Sequence, residues 1–233
     1  CASGVLFIRI LMRSISPTAQ VAYAHARDRM VSHILDRRMV SDNRVINALK
    51  SVPRHLFARE EDIESAYDLR VLPLGFGVTL SEPSLIAKMV ESLDLKSTDN
   101  VLDIGGGTGY HASLIAQIAK HVYSIELIPE LSAKARKITT EISYGNITCI
   151  CADGYKGLPS AAPYDAINVA CAPPEIPEKL IEQLKVGGRI ILPVDNDSGY
   201  QDLVLGIKQA DGSLKCQNLM QVVFVPMKER MSI

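Results

Sequence analysis

The stretch VLDIGGGTGYHASLIAQIAKHVYSIEL, residues 101–127, decides the fold class. An apolar run typical of a strand comes first, and a cluster of glycines follows it. An apolar pattern of helical period then leads into a second apolar run, which ends on Glu126. A strand, a glycine turn, a helix and a second strand form one βαβ unit, and glycine-rich turns at that place hold nucleotide-like cofactors. The stretch therefore predicts a cofactor site.

The same alternation continues along the chain. It predicts strands at 100–104, 121–126, 147–151, 165–170 and 188–193, with helices at 109–119, 129–143 and 175–184. Apolar strands that alternate with amphipathic helices are typical of an α/β, doubly wound Rossmann-like sheet that is mostly parallel. Two further extended runs, 202–209 and 219–227, flank Asp211-Gly212, which is a favourable hairpin turn. We therefore expect a C-terminal antiparallel pair.

The segment before residue 100 is predicted to be helical, with a loop in its middle. Helices are expected at about 19–38, at 41–52 with Ser41 or Asp42 as cap, and from Pro83 to Leu93. We interpret residues 1–29 as an N-terminal extension of uncertain origin and residues 30–233 as a single domain. Within that domain, residues 30–80 form a helical and loop segment and residues 81–233 the Rossmann-like core.

Composition excludes several classes of function. The 233 residues carry a net charge of -1, so no basic excess favours nucleic-acid binding. No apolar run reaches the roughly 18 residues that suggest a membrane span. The odd number of cysteines, five, favours a reducing, cytoplasmic compartment, and we interpret Cys149 and Cys151 as core thiols. No metal-ligand spacing is present, so no metal is expected.

Two cofactor hypotheses compete for the glycine turn. A nicotinamide dinucleotide fits Gly107-Thr-Gly109-Tyr-His-Ala112, which satisfies G-x-G-x-x-A. Glu126 also stands near the distance at which such folds place the acid that binds ribose hydroxyls.

S-adenosyl-L-methionine fits a motif whose glycines begin two residues earlier: an acid followed by alternating glycines, namely Asp103, Gly105, Gly107 and Gly109. A pyrophosphate disfavours carboxylates near it, whereas an ammonium and a sulfonium favour them. A third acid, Asp153, follows the predicted strand 147–151, where it can meet the adenine amino group. Three acids at the ends of successive strands, with Glu126 as the second, favour the cationic methyl donor.

Five further motifs follow one another along the chain: VPRHLF (52–57), GFGVTLSEP (75–83), DGYKGLPSAAPYDAINV (153–169), PEIPEKLIEQLKVGGRIILPV (174–194) and VVFVPM (222–227). In their order and spacing they resemble the protein-L-isoaspartate O-methyltransferase family over roughly residues 30–227. VTLSEP resembles the family's threonine-x-serine-x-proline element. The chain departs from the family pattern at Ala152, where glycine is usual, and at Asn168, where histidine is frequent.

The resemblance implies methyl transfer from S-adenosyl-L-methionine to the free α-carboxylate of L-isoaspartyl residues in damaged proteins and peptides. S-adenosyl-L-homocysteine is the implied product, and the ester initiates repair through a succinimide. Ser81 is the expected catalytic residue that holds the acceptor carboxylate, with Thr79 and Val225 in the acceptor site and Gly154 in the cofactor site. The alternative for Ser81 is a helix cap before Pro83. No general base is required, because a carboxylate is ionised at neutral pH.

Three alternatives stay open at the level of sequence. The first is a related carboxyl O-methyltransferase that acts on aspartate in a dedicated peptide. The second is a nicotinamide oxidoreductase, which the G-x-G-x-x-A string supports but which lacks a candidate residue for hydride chemistry. The third is a non-enzymatic protein that binds the adenosyl cofactor.

Overall fold

The structure, a computed structural model, describes residues 16–196 and 199–229. The helices of the described residues are α1 (Pro17–Asp36), α2 (Asn43–Ser51), α3 (Pro83–Ser92), α4 (Tyr110–Ala116), α5 (Pro129–Glu141) and α6 (Glu178–Glu182). The strands are β1 (Leu72–Gly75), β2 (Val78–Leu80), β3 (Asn100–Ile104), β4 (His121–Glu126), β5 (Ile147–Cys151), β6 (Tyr164–Val169), β7 (Leu184–Asp195), β8 (Gln201–Lys208) and β9 (Leu214–Val222). Short 3-10 helices cover Arg54–Phe57, Glu60–Ser65, Gly154–Lys156 and Pro159–Ala161.

The central sheet has seven strands in the order β5-β4-β3-β6-β7-β8-β9, and β1 and β2 form a separate antiparallel pair. Strands β3 to β7 pair in parallel, whereas β7–β8 and β8–β9 pair antiparallel. The chain first builds outward from β3 through β4 to β5 and then returns to place β6 on the other side of β3. The predicted fold class is confirmed, and the switch point between β3 and β6 is where such sheets bind ligands.

Alternation along the strands divides the core between the two faces of the sheet. Val101 belongs to one buried cluster, whereas Leu102 and Ile104 belong to the other. The first cluster also contains the buried residues of α1 to α4, and the second contains Leu180 of α6. Because successive strand residues point to opposite faces, Asp103 lies on the same face as Val101, beneath the N-terminal helices.

Several predicted boundaries shift at the C-terminal half of the sheet. The predicted helix 175–184 is shorter, because Leu184 already pairs with Tyr164 as the first residue of β7. The last extended run begins earlier than predicted, at Leu214, and β9 ends at Val222. Beyond it, Pro226 forms an isolated bridge with Ala172. Proline has no N–H to continue a ladder, which is consistent with the end of the strand before it.

Side-chain caps fix the N-terminal helices. Asp42 caps α2 by accepting a hydrogen bond from the Arg44 amide at 2.7 Å, which selects one of the two predicted cap residues. Helix α1 begins at Pro17, inside the segment interpreted as an extension. The division into residues 1–29 and 30–233 stays a prediction. Among the helices of residues 16–196 and 199–229, none is both long enough and apolar enough to cross a membrane.

Candidate active site

A cavity of about 280 Å³ opens at the carboxyl ends of the parallel strands, beside the switch point. Its walls come from segments that follow β3, β4, β5 and β6, together with the β1–β2 hairpin and the chain after β9. The lining residues include Phe76, Val78, Thr79, Ile104, Gly105, Gly107, Ile125, Glu126, Ile128, Gly154, Cys171, Val225, Met227 and Lys228. Six of the ten predicted site residues are among them, whereas Ser81, Asp103, Gly109 and Asp153 are not.

The glycine turn forms one wall of the cavity. Gly105, Gly107 and Gly109 have φ angles of 76°, 55° and 95°, a left-handed conformation that glycine adopts without a Cβ penalty. Gly109 lies behind the wall, where an added Cβ would be 3.2 Å from Ala135 of α5. Gly106 was not among the predicted site residues, yet a Cβ there would overlap the Ser124 hydroxyl. It is the middle residue of the run Gly105–Gly107, and this run of three consecutive glycines is the sequence signal for the close packing.

Glu126 connects the end of β4 to the glycine turn. Its Oε2 accepts a hydrogen bond from the Gly107 amide at 2.8 Å, and its Oε1 accepts one from the Ile128 amide at 2.9 Å. The side chain lines the cavity although the residue is only 8% exposed. A carboxylate held in this way can accept hydrogen bonds from ligand hydroxyls.

Asp103 lies beneath the turn and is fully buried. It stands opposite Ser124 of β4 and Asn168 of β6 in the strand register. Its carboxylate accepts hydrogen bonds from Ser124 Oγ at 2.8 Å and Asn168 Nδ2 at 2.7 Å. Burial raises the pKa of the Asp103 carboxyl to about 6, although both hydrogen bonds act in the opposite direction. Asp103 therefore joins three strands below the cavity, and the Asn168 departure from the family pattern completes this contact.

Asp153 and Gly154 follow β5. The Asp153 carboxylate accepts a hydrogen bond from the Tyr155 amide at 3.0 Å and so caps the short 3-10 helix. Gly154 lies in the cavity wall, where an added Cβ would stand 2.5 Å from Ile104 Cγ2. The close approach of β3 therefore requires glycine at this position.

The hairpin β1–β2 and the segment after β9 form the opposite wall. Thr79 and Val225 line it, and Phe76 is 57% exposed at the hairpin tip. Ser81 lies two residues after Thr79, so in extended chain the two side chains share a face. The Ser81 hydroxyl forms no hydrogen bond with the described residues, while its carbonyl accepts one from Arg54 Nη2 at 2.7 Å.

The alternative role of Ser81 as the cap of α3 is wrong. Glu82 is the N-cap, because its side chain accepts a hydrogen bond from the Leu85 amide at 2.8 Å. The hydroxyl of Ser81 is therefore not used by the helix. Ser81 and Glu82 both stand within two residues of Pro83, so the sequence alone does not show which side chain reaches the first amides of the helix.

No histidine lines the cavity within the described ranges. Burial lowers the pKa of His111 to about 3 and that of His55 to about 4, with Arg27 adding to the effect at His55. Cys171 does line the cavity, but burial raises the pKa of its thiol to about 12, so the thiol is a poor nucleophile. In the part of the chain that the structure describes, no His/Cys/Asp/Glu group is arranged to hold a metal ion.

The apolar lining residues Phe76, Ile128, Cys171 and Met227 escaped the sequence analysis. Phe76 is the one with a recognisable signal, because it stands between two glycines in GFG. The others belong to segments that meet only when the strand ends converge.

Most of the chain is similar in sequence to proteins of one family. The family model described as "Protein-L-isoaspartate(D-aspartate) O-methyltransferase (PCMT)" matches residues 25–232. Protein-L-isoaspartate O-methyltransferase 2 of Shewanella sediminis is 39% identical, over 96% of this chain and 91% of the relative. Protein-L-isoaspartate O-methyltransferase of Ignicoccus hospitalis is 41% identical, over 86% of this chain and 96% of the relative.

Two solved structures share the fold. A protein-L-isoaspartate O-methyltransferase has a TM-score of 0.78 and 28% identity; the match covers 86% of this chain and 65% of the other chain. A Plasmodium falciparum protein assigned to the same activity has a TM-score of 0.76 and 22% identity, over 86% of this chain and 97% of the other. That protein was crystallised with S-adenosyl-L-homocysteine.

Proposed function

This chain belongs to the protein-L-isoaspartate(D-aspartate) O-methyltransferase family, and on that premise we propose that its cavity holds a methyl donor next to an isoaspartyl acceptor. The donor is S-adenosyl-L-methionine, and the acceptor is the free α-carboxylate of an L-isoaspartyl residue in a damaged protein or peptide. The observation that carries this proposal is the cavity at the switch point. One of its walls is the glycine turn with Glu126, and the other contains Thr79 and Val225.

The glycine wall suits the methyl donor better than a dinucleotide. The Glu126 carboxylate already accepts the Gly107 amide hydrogen, which a pyrophosphate would need. It would also repel that dianion, whereas it attracts the cationic donor and accepts hydrogen bonds from ribose hydroxyls. Gly105 and Gly154 let ligand atoms approach the backbone closely. Asp103 and Asp153 support this wall from behind, the first through the strands and the second through the helix that contains Gly154.

The reaction moves a methyl group without moving a proton. A carboxylate oxygen of the acceptor attacks the methyl carbon, and the electrons of the carbon–sulfur bond return to sulfur. A sulfonium and a carboxylate thereby become a neutral thioether and a neutral ester. The protein has to align the two groups and exclude water, which is an orientation effect potentially worth several kcal/mol. The chain needs no general base, because the acceptor carboxylate is already ionised at neutral pH.

Ser81 is the proposed contact for the acceptor carboxylate, with Thr79 beside it and the Val225 backbone across the cavity. A hydroxyl donates one hydrogen bond without the full charge of an arginine, which would stabilise the ionised ground state too strongly. The Ser81 hydroxyl is available for this contact, because Glu82 caps the helix and no described residue forms a hydrogen bond with the hydroxyl. The methyl ester then collapses to a succinimide, which reopens in part as normal aspartate.

The decisive experiment uses methyl-labelled S-adenosyl-L-methionine and two peptides that differ only in isoaspartate versus aspartate. We expect label on the isoaspartyl peptide alone, with release of methanol in base. Label on the aspartyl peptide would favour the alternative acceptor, an aspartate in a dedicated peptide. Label on neither, with cofactor binding intact, would reject the repair function and favour a non-enzymatic binder. A cytoplasmic location and the lack of nucleic-acid and membrane partners stay predictions.

A further inference from the structure

We infer that Arg54 is a positioning residue for the methyl-transfer reaction and acts by fixing the backbone that carries Ser81. The inference rests on the proposed function and deepens it, since it names the group that orients the acceptor contact. Arg54 is not among the residues that line the cavity, so its effect on the reaction is indirect, and its hydrogen bond to the Ser81 carbonyl is the contact through which we infer that it acts.

The guanidinium of Arg54 joins three segments of the chain. Its Nε donates to the Ala66 carbonyl at 2.8 Å and its Nη2 donates to the Ser81 carbonyl at 2.7 Å. Its Cζ lies 4.8 Å from the centroid of the Tyr110 ring, the first residue of the helix that follows the glycine turn. The Arg54 side chain thus contacts three separate parts of the chain: the loop after Glu60–Ser65, the segment that contains Ser81, and the helix that follows the glycine turn.

The site is unusual for an arginine. The residue is 0% exposed, and no described carboxylate lies within 4.0 Å of the guanidinium. Glu82 attracts it only at longer range. A buried cation without a close counterion is costly, so the backbone carbonyls and the aromatic face have to stabilise it. Nη1 has no hydrogen-bond partner among the described residues, so the hydrogen bonds of Nε and Nη2 to the two carbonyls are the directed contacts that this side chain supplies.

Regular secondary structure supplies no hydrogen-bond donor to the Ser81 carbonyl. Ser81 stands after the last residue of β2, Leu80, and before the N-cap of α3, Glu82. It is therefore outside both the strand ladder and the helical hydrogen bonds. Fixing its carbonyl fixes the peptide plane between Ser81 and Glu82, and so restrains the Cα atom from which the Ser81 side chain projects. A displacement of about 1 Å at a reacting group can lower a rate by about 100-fold.

The test is a double-mutant cycle between Arg54→Lys and Ser81→Ala. Lysine keeps the charge but lacks the planar fork that serves two carbonyls at once. Arg54→Gln, a planar uncharged donor, is the second variant if Arg54→Lys does not fold. Measurements are kcat and KM for an isoaspartyl peptide, the Kd of S-adenosyl-L-homocysteine and the melting temperature.

A matched control is Arg189→Lys. Arg189 also donates to backbone carbonyls, those of Leu93 and Asp165, at 2.8 and 3.0 Å, and it pairs in addition with the Asp99 carboxylate at 2.6 Å. Unlike Arg54, it makes no hydrogen bond to Ser81. Its replacement reports the general effect of losing an arginine that binds the backbone. We expect it to lower the melting temperature and to leave kcat/KM of the folded enzyme unchanged.

Arg54→Lys is expected to lower kcat/KM for the peptide by about 10-fold or more, while the Kd of S-adenosyl-L-homocysteine changes less than about 2-fold. In the Ser81→Ala background the same substitution should lower kcat/KM by less than about 2-fold, because the hydroxyl it positions is gone. Full additivity in an active enzyme, or an equal loss of cofactor affinity, would overturn this inference alone. A wild-type enzyme that methylates no isoaspartyl peptide would overturn the proposed function as well.

Discussion

Glu126→Gln tests the cofactor wall most directly. The glutamine amide keeps the shape of the carboxylate but replaces one acceptor oxygen with a donor group. The native side chain accepts the amides of Gly107 and Ile128 at 2.8 and 2.9 Å. The glutamine amide can accept only one of them in its native geometry, and the other amide then faces an NH₂ group.

The magnitude follows from the contacts that are lost. A hydrogen bond to a charged group contributes about 1.5–3 kcal/mol, and the same range applies to a ribose hydroxyl that donates to the carboxylate. Since 1.4 kcal/mol corresponds to about tenfold in affinity, the Kd of S-adenosyl-L-homocysteine should rise between about 10-fold and 150-fold. The unpaired amide should in addition lower the free energy of unfolding by about 1–3 kcal/mol.

Isothermal titration calorimetry with S-adenosyl-L-homocysteine measures the affinity, and thermal unfolding measures the stability. Glu141→Gln is the control, because Glu141 is also buried, at 9% exposure, but lies on α5 away from the cavity lining. A folded Glu126→Gln variant that binds the cofactor with wild-type affinity would refute the role of this carboxylate. Micromolar binding of NAD by the wild-type protein would instead support the nicotinamide alternative.

Two further substitutions test packing and pH dependence. Gly154→Ala should cost about 1–3 kcal/mol of stability and weaken cofactor binding, because its Cβ would stand 2.5 Å from Ile104 Cγ2. Gly145→Ala, with no atom within 4 Å of the added Cβ, should be neutral, and equal melting temperatures for the two variants would contradict the packing argument. His55 has a pKa lowered from 6.5 to about 4, so the stability it contributes is complete above pH 6.5 and is lost as the pH falls toward 4. His55→Gln should therefore reduce the loss of unfolding free energy between pH 7 and pH 5 by about 2 kcal/mol relative to the wild-type protein; parallel stability curves for the two proteins would disprove this.

Part of the site could be predicted because its chemistry is local in sequence. The left-handed turn at Gly105, Gly107 and Gly109 requires glycine at each position, so the motif itself reveals it. Glu126 could be placed because it ends the second strand of the same βαβ unit. The predicted contact of Asp103 with the ligand's ammonium stays untested. The structure buries Asp103 below the cavity because strand alternation turns its side chain toward Ser124 and Asn168.

Other boundaries and contacts depend on residues distant in sequence. The start of β7 at Leu184 is set by pairing with Tyr164, and the pattern of the segment alone favoured a longer helix. Side-chain geometry likewise decided that Glu82 caps α3, which leaves the Ser81 hydroxyl available.

The sequence by itself determined the α/β fold class, the glycine turn and the family, because periodicity and motif spacing are properties of short segments. Only the tertiary structure decided which side chains meet at the carboxyl ends of the strands. The cavity collects Phe76, Gly154 and Met227 from segments far apart in the chain. The tertiary structure also brings the buried Arg54 to the Ser81 carbonyl. Such contacts arise from the order of strands around the switch point, and no local pattern encodes the distance between segments that this order brings together.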